Sequence, residues 1–283
     1  MTEVKDNLLR MVDQMPAFSN SVHRIMSLAN DINCAPRDLV EVIEYDPVLT
    51  LKILKLVNSA YFGLSSKITS IKHAVVFIGI NTVKNLALSV AAIGTLPKEN
   101  EAGFDMEEFL MHSVGTAAIT KILARRQRIP ESQTADFFVS GLLHDIGKVL
   151  FAHFLPVKSK QTLVLARAKM VPLWRAERAV IGADHAEVGA LLAEKWELPE
   201  NLVRAIRYHH CPLDNPEADL LQFCVSVANQ IAKHLQIGDG GSPVVEKIPD
   251  SILEEFGTDF EGLLEDLPGL DAEIEKAQVF VKL

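Results

Sequence analysis

Apolar residues recur at every third or fourth position along most of the chain, the spacing that places side chains on one face of an α-helix. In the stretch Val48 to Tyr61, for example, Leu49, Ile53, Leu56 and Val57 would share a face. Neither a convincing strand pattern nor an internal repeat emerges from the sequence. The pattern therefore predicts an all-α protein built as a helical bundle.

Capping residues and prolines mark where the predicted helices begin. Four candidate caps open helices as follows: Asp46, with Pro47, for Val48 to Tyr61; Ser70 for Ile71 to Ile78; Asn81 for Thr82 to Ile93; and Asp105 for a helix that ends near Gln127. Asp105 and Glu108 have the spacing of a capping box. Further helices are predicted over residues 132–146, 172–180, 185–196, 199–209 and 218–235.

The polar stretch Pro97 to Gly103 is the best candidate for a subdomain boundary. It divides the chain into an N-terminal helical subdomain (1–97), a second helical subdomain (104–237) and an acidic C-terminal helical extension (238–283). The most apolar window, Ala74 to Leu96, is long enough to suggest a membrane span. Asn81 and Lys84 interrupt its centre, so it is predicted to form two buried helices, and no membrane partner is expected.

Charge and cysteine content narrow the function classes. The net charge is -9, and residues 250–275 hold ten acidic side chains without Lys or Arg. No basic stripe is evident, which argues against a nucleic-acid partner. The acidic segment is interpreted as a solvated helix face in preference to a partner-docking tail. Cys34, Cys211 and Cys224 are widely spaced and odd in number, and the chain begins without a secretory signal pattern, so a reducing, cytoplasmic location is predicted.

The richest chemistry lies around the run Gly141 to Lys148, which contains a His-Asp doublet. The candidate metal ligands are Glu108, His112, His144, Asp145, His185, His209 and His210. Glu108 and His112 are four residues apart and would lie on one helix face. Gly147 could bend or end a helix so that His144 and Asp145 converge. Imidazole and carboxylate ligands together suit a transition metal, with Fe or Mn favoured and Zn or Ni as alternatives.

Simpler interpretations stand beside these assignments. Glu108 could serve only the capping box, and His185 could be an ordinary helix-start residue because Asp184 and Glu187 also have capping-box spacing. Lys148 could contact a phosphate or simply complement a helix dipole. If the site holds two ions that share Asp145, they could activate water and hold a phosphate, as in a metal phosphohydrolase.

These residues resemble the HD phosphohydrolase superfamily, and their order is similar to that of its HD-GYP branch, whose members hydrolyse cyclic di-GMP with two or three iron or manganese ions. Two departures follow. The sequence after His210 is Cys211-Pro212-Leu213-Asp214-Asn215, without a Gly-Tyr-Pro signature. Asn229 stands where the family has a later aspartate, so it would be a weak ligand and one metal position would suffer most.

The chain as a whole is more similar to the HDOD family of bacterial signalling proteins, from about residue 8 to about residue 237. The resemblance rests on four N-terminal motifs: Met15-Pro16-Ala17-Phe18, Asp46-Pro47-Val48-Leu49-Thr50, Leu56-Val57-Asn58-Ser59-Ala60-Tyr61-Phe62, and Ile71 to Gly79. It implies a signalling or regulatory module, and many members of the family have lost metal ligands.

Three functions are therefore weighed. The favoured one is a bacterial signal-transduction module with an HD-type His/Asp metal pocket, mononuclear or dinuclear, without efficient catalysis and with a signalling protein as partner. The alternative is a metal-dependent phosphohydrolase acting on a nucleotide or cyclic dinucleotide, with Asp145 and Lys148 as catalytic residues. The third is a metal-free scaffold, which is disfavoured because every buried imidazole nitrogen would need a partner.

Overall fold

The computed structural model describes residues 2–29, 35–59, 67–97 and 99–281, and all regular structure within these ranges is helical. The α-helices are α1 (Thr2–Gln14), α2 (Asn20–Ala29), α3 (Pro36–Glu44), α4 (Pro47–Val57), α5 (Ile71–Ile78), α6 (Ile80–Thr95), α7 (Met106–Arg126), α8 (Glu131–Leu143), α9 (Gly147–Phe154), α10 (Pro156–Lys169), α11 (Leu173–Val180), α12 (His185–Lys195), α13 (Glu200–Tyr208), α14 (Leu220–His234), α15 (Asp250–Phe256), α16 (Phe260–Glu265) and α17 (Leu270–Ala277). Two 3₁₀ turns span Pro212–Asp214 and Gln278–Phe280. The predicted all-α class is confirmed.

Three of the predicted caps begin helices as expected. The Asp46 carboxylate accepts the N–H of Leu49 at 3.0 Å, and the Ser70 hydroxyl accepts the N–H of His73 at 3.2 Å. Asp105 accepts from the N–H groups of Glu107 and Glu108. Local side-chain chemistry is therefore enough to locate these helix starts.

Two predicted boundaries in the N-terminal helices are wrong, and the helix predicted over 132–146 ends earlier, at Leu143. Asn81 is not a cap, because α6 already begins at Ile80, directly after Gly79. Gly79 has a φ of 82°, a positive value that glycine adopts readily. The helix that begins at Pro47 ends at Val57, where the Asn58 side chain bonds both main-chain groups of Ile68. The last two residues of that predicted helix, Ala60 and Tyr61, lie outside the described residues, as does Cys34.

The turn between α8 and α9 shapes the centre of the molecule. α8 ends at Leu143, residues 144–146 form a turn, and α9 begins at Gly147. A side-chain carbon on Gly147 would overlap the main-chain carbonyl of His185 at the start of α12. The glycine thus lets α9 pack directly on α12, and this contact brings the His-Asp doublet against His185.

Helix α7 lies at the centre of the second half of the chain, packed between α8 and α14. All residues from His112 to Ala124 are buried. On α8, a side-chain carbon at Gly141 would lie 2.7 Å from the Cα of Ala117, so the two helices touch backbone to backbone. A helix buried on all sides is a rigid platform for the polar residues that it carries.

The apolar core does not divide at the predicted subdomain boundary. One cluster of buried residues runs from Leu8 through the N-terminal helices to Ile206 and also includes Ala277 and Phe280. Ala102 and Phe104 of the link between α6 and α7 belong to it. A second cluster joins α7 and α14 to the C-terminal extension, where Ile252, Phe256 and Leu263 are buried. The acidic segment therefore packs against the second half of the chain through its apolar side chains.

The apolar window 74–96 forms parts of two helices, α5 and α6, as predicted. Across the described residues, one stretch, Gln133–Phe154, is long and apolar enough to cross a membrane, but 89% of its apolar window is buried inside the fold. It comprises most of α8, the turn after it and α9, and such burial is typical of core segments.

Candidate metal centre

Asp145 is the centre of a fully buried cluster of histidines. Its Oδ1 lies 3.1 Å from Nε2 of His185 and 3.4 Å from Nε2 of His209. Its Oδ2 lies 3.2 Å from Nε2 of His144 and 3.6 Å from Nε2 of His112. The two carboxylate oxygens thus face two different pairs of imidazoles.

A fifth histidine, His210, joins on the Oδ1 side, where its Nε2 is 2.8 Å from Nε2 of His185. The ligand atoms form two groups, each with all its atoms within 4.8 Å of one another: Asp145, His185, His209 and His210 in one, and His112, His144 and Asp145 in the other. The predicted convergence of residues that are distant in sequence is present in the structure.

Four helices supply these side chains, mostly from their ends. His112 projects from the buried middle of α7, and His144 and Asp145 occupy the turn after α8. His185 is the first residue of α12, which Asp184 caps by accepting the N–H of Glu187. The remaining two histidines follow the last residue of α13. Helix ends can direct adjacent side chains into one pocket, which a continuous helix cannot do.

Hydrogen bonds fix the orientation of the rings of His144 and His209. In each, Nδ1 donates to the carbonyl oxygen three residues earlier, at Gly141 and Ile206, at 2.7 Å. These carbonyls lack helical partners because they lie at helix C-termini. A proton on Nδ1 leaves Nε2 as a lone-pair acceptor, so both rings present free lone pairs to Asp145.

As a result, hydrogen-bond acceptors on the histidine rings face the carboxylate of Asp145, which is also an acceptor. Nε2 of His144, Nε2 of His209 and Oδ1 of Asp145 are buried and have no hydrogen-bond partner among the described residues. Buried polar atoms without partners are costly, and a cation beside Oδ1 would satisfy that oxygen and Nε2 of His209. Neutral imidazoles with a carboxylate are the donor set of a transition-metal site, so the residues fit such an ion.

Burial sets the protonation of the pocket. Desolvation lowers the pKa of His209 to about 4 and holds the pKa values of His112 and His210 well below the ordinary range. Burial alone would raise the pKa of Asp145, but its contacts with His144 and Lys148 bring it well below its usual value. A carboxylate beside neutral imidazoles, such as those of His112, His209 and His210, is the state in which these groups bind metals.

Glu177 of α11 is a site residue that the sequence did not suggest. Its Oε2 accepts hydrogen bonds from Nδ1 of His185 at 2.5 Å and from the main-chain N–H of His185 at 2.9 Å. Burial would lower the pKa of His185, but the negative charge of Glu177 raises it to about 9. The pair directs Nε2 of His185 towards Asp145, as carboxylates do for metal-binding histidines.

Lys148 lies inside the cluster. Its side chain is 3% exposed, and Nζ donates to Asp145 Oδ2 and, at 2.8 Å, to the main-chain carbonyl of Gly240. Both predicted catalytic residues are therefore in the pocket. Instead of facing an open space where a phosphate could lie, the ammonium is paired with the carboxylate.

Asn229 lies in the site and Glu108 does not. The amide oxygen of Asn229, on α14, is 3.2 Å from Nε2 of His112, and its Nδ2 has no hydrogen-bond partner within the described part of the chain. The side chain of Glu108 is exposed, in the first turn of α7, and belongs to neither group of ligand atoms. The structure thus corrects the assignment of Glu108 as a ligand: it shares a helix face with His112, but one turn nearer the surface.

The stretch Gly238 to Glu246, which we call the covering segment, lies over the cluster without regular secondary structure. The Asp239 N–H donates to the carbonyl of Glu108 at 3.1 Å. At its other end, Glu246 accepts from the Trp174 indole at 3.0 Å. Trp174 also stacks on His210, with ring centroids 5.7 Å apart. The glycine run Gly238-Asp239-Gly240-Gly241 is the sequence signal that could have identified this segment.

A cavity of about 190 Å³ reaches the cluster from the surface. It is lined by His210 together with Trp174, Arg178, Asp184, Tyr208 and Cys211, among others. His210 is therefore the histidine that a small molecule would meet first.

The comparisons agree with this fold. The HDOD domain model matches residues 15–212. A curated protein of Treponema pallidum, itself uncharacterized, is 28% identical over 256 residues, which cover 90% of this chain; the chain spans about half of that relative, 48% of its length.

Two crystal structures share the fold at TM-scores of 0.75. One is a protein from Shewanella amazonensis, provisionally described as a phosphohydrolase, with 28% identity and coverage of 96% of this chain and 97% of that chain. The other is an HDOD domain protein with unknown function from Geobacter sulfurreducens, with 26% identity and coverage of 99% and 95%.

The all-α fold and the buried His/Asp cluster define an HD-like helical protein. Because the family model covers most of the chain, the protein belongs to the HDOD family.

Proposed function

We propose that this protein is a regulatory module of bacterial signal transduction whose His/Asp pocket binds a transition-metal ion and does not hydrolyse phosphodiesters efficiently. The observation that carries the metal assignment is the set of buried acceptors around Asp145 that lack hydrogen-bond partners. A bound ion would supply a Lewis acid, and His185, His209, His210 and Asp145 would hold it. Fe or Mn is favoured for this mixed set, and Zn or Ni would also suit it.

Three features support weak or absent catalysis. Lys148, the group most suited to contact a phosphate, is paired with Asp145 and with the Gly240 carbonyl. The covering segment lies against the cluster, and Asn229 supplies a neutral oxygen where a carboxylate would complete a second metal position. A pocket with these features suits a structural or sensory role better than turnover.

A protein partner is part of the proposal, and the N-terminal helices would provide its docking surface. Val48 and Leu51 on α4 are 65% and 69% exposed, and Tyr45, just before this helix, is 78% exposed. Apolar side chains this exposed near one another are typical of interaction surfaces.

The test of the metal site is elemental analysis of untagged protein purified without chelator. We expect stoichiometric iron, manganese or zinc in the wild type and its loss in a His185→Ala, His209→Ala variant. His153→Ala is the matched control, because His153 is exposed and outside the cluster. A wild type without metal, after supplementation with each of these ions, would refute the proposal.

The second candidate is a metal-dependent phosphohydrolase acting on a nucleotide or cyclic dinucleotide. It is favoured by the cavity that leads to His210 and by the similarity to the Shewanella protein. A phosphodiesterase assay with cyclic dinucleotides and Mn²⁺ discriminates between the two functions. Rapid hydrolysis that disappears in Asp145→Asn would establish the enzyme; no turnover in the wild type or in Asn229→Asp would exclude it for these substrates.

A further inference from the structure

The two oxygens of Asp145 have different partners. On the Oδ1 side, His185, His209 and His210 converge, and Oδ1 itself accepts no hydrogen bond from the described residues. On the Oδ2 side, the Lys148 ammonium is the nearest positive group and donates directly to the oxygen. One side of the carboxylate is open to a cation, and the other already has one.

The main chain of the covering segment fixes the position of the Lys148 ammonium. This ammonium is held from the opposite side by the Gly240 carbonyl. A side-chain carbon on Gly240 would lie 2.9 Å from Cδ2 of His112 and 3.2 Å from Nζ of Lys148, so this approach of the backbone requires glycine. The carbonyl and the carboxylate together solvate the ammonium, which a buried charge needs.

The remaining groups on the Oδ2 side are poor ligands for a second ion. An amide oxygen can only accept, so the contact of Asn229 with His112 places a proton on Nε2 of His112 and removes that lone pair. His144 is left as the one imidazole with a free lone pair beside Oδ2. Most transition-metal sites need at least three protein ligands.

Charge argues in the same direction. A second divalent ion would place two further positive charges beside the Lys148 ammonium in a water-free pocket, with Asp145 as the shared carboxylate. Uncompensated buried charge is among the most unfavourable arrangements in a protein. One divalent ion on the Oδ1 side avoids this arrangement.

We infer that the pocket is mononuclear, with the metal ion on the Oδ1 side of Asp145 and the ammonium of Lys148, fixed by the Gly240 carbonyl, in place of a second ion. This inference rests on the proposed function, since it presupposes that the pocket binds a metal. It also gives Lys148 a role distinct from phosphate binding: it keeps Asp145 charged and correctly oriented.

The experiment is a metal count by native mass spectrometry and elemental analysis after loading with Mn²⁺ and removal of excess ion. We expect one ion per wild-type chain, and two in a Lys148→Met, Asn229→Asp variant. Lys158→Met, Asn229→Asp is the matched control, because Lys158 is exposed on α10, and it should retain one ion. Circular dichroism verifies that each variant is folded.

Electron paramagnetic resonance of the Mn²⁺-loaded wild type gives an independent result that needs no variant. An isolated-ion spectrum supports the inference, whereas a spin-coupled pair overturns it and leaves the proposed function standing. Two ions in the wild type, or a folded double variant that still binds one, would also overturn it. A wild type that binds no metal refutes the proposed function itself, and the inference falls with it.

Discussion

Glu177 holds His185 because one of its carboxylate oxygens accepts two hydrogen bonds, one from Nδ1 of the ring and one from the main-chain N–H. Both residues are buried, so water cannot replace either bond. The first bond fixes which nitrogen of His185 faces Asp145, and the second fixes the start of α12. A residue of α11 therefore orients a candidate metal ligand on the next helix.

Replacing Glu177 by Gln should weaken metal binding without abolishing folding. The amide oxygen can still accept from Nδ1, but the negative charge that strengthens His185 as a ligand is lost. Loss of such an outer partner lowers metal affinity by about 10- to 100-fold. Competition with a fluorescent chelator measures the change, and Glu187→Gln, an exposed residue in the first turn of α12, is the control. Equal affinities of Glu177→Gln and wild type would contradict this role for Glu177.

Lys233 should contribute to stability in a way that rises with pH. This side chain is 6% exposed, Glu246 lies 3.9 Å from its ammonium, and burial lowers its pKa from 10.5 to about 8. Between about pH 8 and 10.5 Lys233 therefore binds more protons in the unfolded chain than in the folded chain, so its contribution to the free energy of unfolding increases with pH across this window. Below about pH 8 the buried ammonium of Lys233 lowers the free energy of unfolding by its full amount. The increase in this free energy across the window is at most about 3 kcal/mol.

Urea unfolding at several pH values, compared between wild type and Lys233→Gln, isolates this contribution. The comparison is needed because burial raises the pKa of the Cys224 thiol, which makes stability fall with pH above about 9 in both proteins. We expect the free energy of unfolding of the wild type to increase relative to that of the variant as pH rises from 8. A constant difference between the two proteins would show that Lys233 is protonated in the fold throughout.

The sequence predicted the parts of this molecule that depend on local chemistry. Asp46, Ser70 and Asp105 begin helices because a cap acts within three residues of itself. The cluster around Asp145 was predictable because histidines at several helix ends form a rare pattern with few structural uses.

Other parts depend on packing between distant segments. Glu177 lies eight residues before His185 on a different helix, and its sequence context is that of an ordinary amphipathic helix. The Gly240 carbonyl is a main-chain group, so it left no side-chain signature. The position of Glu108 suited both a cap partner of Asp105 and a metal ligand beside His112. The exposure of its side chain in the structure decides against the role of ligand.

The covering segment offers a final prediction. Gly238 has φ of 61°, and a side-chain carbon there would overlap the main-chain oxygen of Glu108 and nitrogen of His112. Gly238→Ala should therefore lift the segment from the cluster and accelerate metal removal by EDTA by about tenfold or more, while the metal content before chelation stays unchanged. Gly257→Ala is the matched control. Its φ of 67° carries the same backbone strain, but no atom lies within 4 Å of the added side-chain carbon. If both variants lose metal at the wild-type rate, the segment does not limit access to the pocket, whereas faster loss in Gly238→Ala alone establishes it as the cover of the site.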